Sequence, residues 1–368
     1  MANNNKYSEY FDIDERYFPC IDDSAIKAGA PWENTYPHNT FINMLTVMER
    51  VLARQELKTL WIEGGYGTGK SQCAYALKKI LEVPEAELRA FWDRNESLKN
   101  KTDLLEKIVS HKKKGIVTVH RYASGGIMSP RDLFFAIQES VKTALVEKKV
   151  NYLGENTLKE SVIAWIDKPA NKRYFNDLMH EPEWKTLFSQ SSADEVLAAL
   201  RKNDVKALMN NIFRLADEEG ITALNFDSDR LITWLTDVID RNGIRIVLIW
   251  DEFSDYFRNN RESLSEFQKI VALVQNKPFY FIVVTHEPQQ IYIADNDRRN
   301  QAKVSDRFIS ISISLPDDIA FRLIGHAFNV KKDAETDWER LVEGDLNKRV
   351  SSSRTAVMKA TTLKKCRF

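Results

Sequence analysis

Residues 60–81 constrain the fold of this chain more than any other stretch. An apolar run, Leu60-Trp61-Ile62, enters a glycine-rich turn, and a run of helical character, Ser71 to Leu81, leaves it. In the turn, Gly64, Gly69, Lys70 and Ser71 fit the pattern G-x-x-x-x-G-K-[ST]. Glycines let the backbone curl until several N–H groups face one anion, and the N-terminus of the next helix adds positive partial charge. The segment Gly64, Gly65, Tyr66, Gly67, Thr68, Gly69, Lys70, Ser71 and Gln72 is therefore predicted to cradle the phosphates of a nucleoside triphosphate. Lys70 is expected to reach the β- and γ-phosphates, and the Ser71 hydroxyl to ligate Mg²⁺.

Four further apolar runs have the look of buried strands: Ile116–His120, Ile244–Trp250, Phe279–Val284 and Phe308–Ile313. Long helical stretches separate them, and such alternation predicts an α/β fold with a parallel sheet and helices on both faces. A helix is predicted from about Asn39 to Arg54, with Phe41, Met44, Leu45, Met48 and Val51 at helical spacing. Between the second and third strands, only helical patterning is visible. The expected divisions are an N-terminal segment and helix (1–57), a first part of the core (58–129), a helical insertion (130–243), a second part of the core (244–315) and a C-terminal helical lid (316–368). A helix is expected over Asp317–Phe328. The polar remainder ends in a basic tail too short for a further domain, so either a truncated chain or a C-terminal part supplied by something else is expected.

Nucleotide hydrolysis needs a held metal and an aimed water. The run Ile244–Trp250 ends in Asp251-Glu252, so Asp251 is predicted to hold the Mg²⁺ shell and Glu252 to polarise the attacking water. The next run ends in Thr285-His286-Glu287. Thr285, or else His286, is expected to report on the γ-phosphate; the alternative is a Thr that merely ends a strand. Before the last run stand Asp297-Arg298-Arg299 and Asp306-Arg307-Phe308. Arg307 is the expected finger acting on a neighbouring subunit's nucleotide, with Arg298 and Arg299 as alternates. Surface pairing with Asp306 or Asp297 is the competing role.

Composition narrows the classes. A formal net charge of zero gives no global field towards nucleic acid or an anionic membrane, although local patches leave DNA open as a partner. Cys20, Cys73 and Cys366 fit neither a zinc spacing nor a disulfide framework and suit a reducing cytoplasm. No apolar run approaches a membrane span, and a cytoplasmic protein is expected. Tyr36-Pro37-His38 either flanks the adenine or forms a packing turn. Ser124-Gly125-Gly126 either couples nucleotide state to a partner or is a flexible turn.

Together, the phosphate loop, the intervening strand, Asp-Glu after the third strand, the polar residue after the fourth and Asp-Arg-Phe opening the fifth resemble an AAA+-type ATPase. The resemblance covers about Lys58 to Phe328. It implies a P-loop sheet of strand order 5-1-4-3-2, with Walker A at Gly64–Ser71 and Walker B at Asp251-Glu252. It also implies ATP as the nucleotide, Mg²⁺ as cofactor, ATP hydrolysis as the activity, and a homo-oligomer or larger complex. The segments Tyr66-Gly-Thr-Gly-Lys-Ser and Trp250-Asp-Glu-Phe-Ser-Asp-Tyr-Phe are similar to those of large prokaryotic ATPases of the BREX and phage-growth-limitation type, which implies a part in antiviral defence against foreign DNA. One departure is the second-sensor arginine, for which only Arg322 and Arg354 offer themselves.

Overall fold

The computed structural model describes residues 7–13, 21–155, 157–202, 205–224, 227–260, 264–292, 305–314 and 328–341. Five strands, β2 (Thr59–Glu63), β3 (Ile116–Tyr122), β4 (Arg245–Asp251), β5 (Phe279–Thr285) and β6 (Phe308–Ser312), form one parallel sheet in the order β3-β4-β5-β2-β6. The strands form where the apolar runs lie, because a parallel sheet covered on both faces needs apolar side chains in both directions. Successive residues point to opposite faces. Ile246, Leu248 and Trp250 of β4, Phe281 and Val283 of β5 and Trp61 of β2 enter one buried cluster. Val247, Ile249, Tyr280, Ile282, Leu60 and Ile62 enter the other.

Four helices cover that second face: Asn39–Leu52, Lys70–Glu82, Glu85–Arg94 and Thr102–Lys112. The first is capped by His38, whose side chain accepts from the Phe41 N–H, and buries Phe41, Met44, Leu45, Met48 and Val51 along one stripe. In the second, the small residues Cys73, Ala74 and Ala76 are buried and allow close approach to the strands; it stops at Glu82, ahead of Pro84.

The first face is covered by Pro130–Glu147, Ser228–Asn242 and Leu264–Ala272, with Leu158–Ile166, Pro169–His180, Ala193–Leu200 and Lys206–Glu218 continuing outward. Pro130 opens its helix behind a reciprocal cap between Ser129 and Asp132. The buried cluster runs without a break from Trp250 and Phe281 through Trp234 to Trp184 and Leu200. The region of helical patterning therefore shares one core with the sheet. Each large side chain buried there contributes about 1.5–3 kcal/mol relative to exposure.

Two short strands, β1 (Phe11–Ile13) and β7 (Phe328–Val330), pair antiparallel as a separate ribbon, Phe11 opposite Val330. This corrects the expected helical lid at one point: Phe328 opens a strand rather than closing a helix, because its ring and that of Trp338 pack edge-on against Phe11. Residues 335–341 are helical. The rest of the expected helix, Asp317 onward, lies outside the described residues, as do Cys20, Cys366, Arg298, Arg299, Arg322 and Arg354.

Candidate functional site

The carboxyl ends of β2, β3, β4 and β5 lie along one edge of the sheet, the edge where open α/β folds place their ligands. The loop after β2 carries the glycine-rich segment. Gly64 must be glycine, since a Cβ there would stand 2.3 Å from the carbonyl oxygen of Ile313. Gly67 (φ 74°) and Gly69 (φ 84°) take left-handed conformations, and Gly69 caps the helix Lys70–Glu82. Thr68 Oγ1 and Lys70 Nζ both donate to the carbonyl of Gly65, at 2.9 and 2.8 Å, which closes the loop into a ring. Gln72 donates to Thr35 Oγ1 at 3.4 Å, on the neighbouring N-terminal segment.

The lysine and serine of this loop meet the acidic pair after β4. The Ser71 hydroxyl hydrogen-bonds the Asp251 carboxyl, and the charges of Asp251 and Glu252 act on Lys70. They meet across β5, which lies between β2 and β4. Burial lowers the pKa of the Lys70 ammonium against the pull of Asp251 and Glu252. Asp251 is 1% exposed. Burial pushes its carboxyl up to about 6, opposed by hydrogen bonds from Ser71 and from the Glu252 N–H, the latter at 2.8 Å to Oδ1. Its Oδ2 is buried with no hydrogen-bond partner. An orphaned carboxylate oxygen beside a serine hydroxyl is the hard-oxygen donor set that Mg²⁺ selects, so these residues fit the metal. Among the described residues no cluster of three or more His, Cys, Asp or Glu side chains forms a metal site, so any metal here would complete its shell with phosphate and water.

Glu252 is half-buried, and its carboxylate lies 3.5 Å from His286 Nε2. His286 stacks on Tyr66 with centroids 4.0 Å apart, linking the loop after β2 to the loop after β5. Tyr66 is 80% exposed, at the mouth of the site. Thr285, the first choice for the γ-phosphate reporter, is buried and both roles of its hydroxyl are taken: it accepts from Trp61 Nε1 at 2.9 Å and donates to the Glu287 carbonyl at 2.8 Å. His286 is the residue of this pair that touches the site.

Arg307 stands elsewhere. Its carbonyl accepts from Thr59 N at 3.0 Å, at the start of β2 and β6, whereas the glycine-rich loop leaves the far end of β2. Five residues at about 3.3 Å each separate the two edges by roughly 16 Å, beyond the reach of one side chain. Its Nη1 is buried without a hydrogen-bond partner.

One neighbour of the site escaped the sequence pattern. His120 of β3 is fully buried, both ring nitrogens lack partners, and Nε2 lies 4.0 Å from Asp251 Oδ2. Burial holds its imidazole neutral, with a pKa of about 3. The signal was present, since a histidine in an otherwise apolar strand is rarely on the surface. Cys73 behaves as a small apolar residue, its thiol pushed up to about 12 by burial and 3.6 Å from His38 Nε2. The Thr35–His38 segment thus lies against the first turn of the Lys70–Glu82 helix.

No protein family, curated protein or solved structure gives a significant match to this chain. Among the described residues no helix is long and apolar enough to cross a membrane.

Proposed function

We propose that this chain is an Mg²⁺-dependent ATPase of the AAA+ type, whose cycle of ATP binding and hydrolysis drives a conformational or assembly step. The observation that carries the proposal is the meeting of Lys70 and Ser71 with Asp251 and Glu252 at the carboxyl edge of one parallel sheet. The strand order supports it: numbered along the chain, the five strands lie 5-1-4-3-2, the order the family resemblance implies.

In this scheme the backbone N–H groups of Gly64–Ser71 grip the phosphates, and Lys70 exchanges its bond to the Gly65 carbonyl for phosphate oxygens. Ser71 and Asp251 would hold the metal. Bound Mg²⁺ would neutralise phosphate charge and fix the oxygens in line for displacement. Glu252 orients the attacking water and accepts its proton. His286 steadies the Glu252 carboxylate from the loop after β5. Arg307, at the opposite edge, serves the site of a neighbouring copy. The likeness of the two motif segments to phage-defence ATPases carries the further proposal that the cycle serves defence against foreign DNA.

Glu252→Gln tests the assignment. The variant is expected to bind ATP as the wild type does and to lose turnover by about a hundredfold or more, measured as phosphate release. Turnover at the normal rate removes Glu252 from the chemistry. A slow wild-type rate that rises with double-stranded DNA would instead favour a nucleotide-gated switch or loader.

A further inference from the structure

Four non-glycine residues of the described chain have a positive φ: Arg54, Ala123, Lys149 and Glu252. Arg54 and Lys149 follow the helices Asn39–Leu52 and Pro130–Glu147, where a left-handed residue is an ordinary way to end a helix. Ala123 (φ 63°) and Glu252 (φ 53°) have no such reason. They stand just past the ends of the neighbouring strands β3 and β4, whose last paired residues are Tyr122 and Asp251. A left-handed residue with a Cβ persists only where its surroundings enforce it, and such residues concentrate at functional sites.

Hydrogen bonds enforce it here from both flanks. On the β3 side, Ala123 N donates to the Asp251 carbonyl at 2.9 Å and Trp250 Nε1 donates to the Ala123 carbonyl at 3.0 Å. On the β5 side, Phe253 N donates to the Val284 carbonyl at 3.0 Å. Ser124 closes the arrangement. It is 1% exposed, and its hydroxyl donates to the Glu252 carbonyl at 2.9 Å while accepting from Tyr256 N at 3.0 Å. Asn260 secures the far end of the same turn, donating to the carbonyls of Ile127 and Tyr256 at 3.1 and 3.0 Å.

We propose that Ser124 is a positioning residue that holds Glu252 in its left-handed conformation and so aims its carboxylate into the site. The inference rests on the assignment of Glu252 as the water-orienting base. Without the hydroxyl, the Glu252 carbonyl and the Tyr256 N–H lose their shared partner in a dry enclosure. The residue between Asp251 and Phe253 then relaxes towards right-handed φ, which turns its side chain away from the Lys70–Ser71 loop. Ser124 touches neither nucleotide nor metal in this scheme, so ATP affinity is set elsewhere.

Steady-state phosphate release under Mg·ATP tests this with Ser124→Ala, which removes a single oxygen, and Ser124→Thr, which keeps the hydroxyl. Ser124→Ala is expected to lower kcat about tenfold with KM for ATP within about twofold, and Ser124→Thr to recover most of that loss. In single turnover, adding Ser124→Ala to Glu252→Gln is expected to cost little more, because the group being positioned is already disabled. An unchanged kcat in Ser124→Ala, a KM that rises as far as kcat falls, or a full tenfold further loss in the double variant overturns the inference while leaving the ATPase assignment standing. Absence of turnover in the wild-type chain overturns the assignment itself, and the role of Ser124 with it.

Discussion

Replacing Asp251 by Asn is expected to stabilise the folded chain at neutral pH while removing the metal-dependent activity proposed for it. The carboxyl moves from 3.8 to about 6 on folding, and burial is the largest cause. At about 1.4 kcal/mol per pH unit, ionising it in the folded state costs about 3 kcal/mol. The sign follows from the raised value. The folded chain binds the proton more tightly than the unfolded chain, so this contribution is fully present below about pH 4 and is lost as pH rises through about 6. An asparagine has no proton to lose, and its carbonyl can still accept from the Glu252 N–H that now binds Oδ1. Urea midpoints for wild type and Asp251→Asn, taken in chelator between pH 4 and 8, should coincide at the acid end and separate to about 3 kcal/mol by pH 7. Saturating Mg·ATP should close part of the gap by stabilising the wild type alone. A gap independent of pH, or a variant less stable than wild type at pH 7, would refute the claim that the buried, orphaned carboxylate is a cost that folding bears for the sake of a ligand.

Two further outcomes concern the glycine-rich loop and Arg307 at the opposite edge. Gly64→Ala forces a Cβ against the Ile313 carbonyl 2.3 Å away; it should cost about 1–3 kcal/mol of stability and weaken ATP binding, read by thermal melting with and without nucleotide. Arg307→Ala and Lys70→Ala should each be inactive alone and regain part of their activity when mixed, since one kind of mixed interface keeps both residues; no recovery at any ratio would argue against a site shared between copies.

The five core strands were legible because a sheet buried on both faces is built from continuous apolar runs, and β5 is buried along its whole length. Their ends were less so. β3 continues through Arg121 and Tyr122, which the apolar pattern drops, because pairing with Trp250 and Asp251 carries the ladder on. The ribbon of β1 with β7 was not legible: three residues on each side carry no periodicity, and the partners are far apart in sequence. In the site, the residue types announced themselves and their orientation did not. Thr285 shares the face of Val283, where the Trp61 indole takes its hydroxyl, and this leaves His286 to face Glu252. Nothing in Trp250-Asp-Glu-Phe253 signals a left-handed glutamate, since the usual mark of such a conformation is a glycine.

The unbroken cluster that joins Trp250 and Phe281 to Trp184 and Leu200 has a bearing on how the chain can be divided. Pro130–Glu147, Ser228–Asn242 and Leu264–Ala272 keep water off one face of the strands, and the helices from Leu158 to Glu218 extend that same core rather than hang on a finished sheet. A rearrangement of those helices repacks the cluster that also holds Trp250, the residue before Asp251.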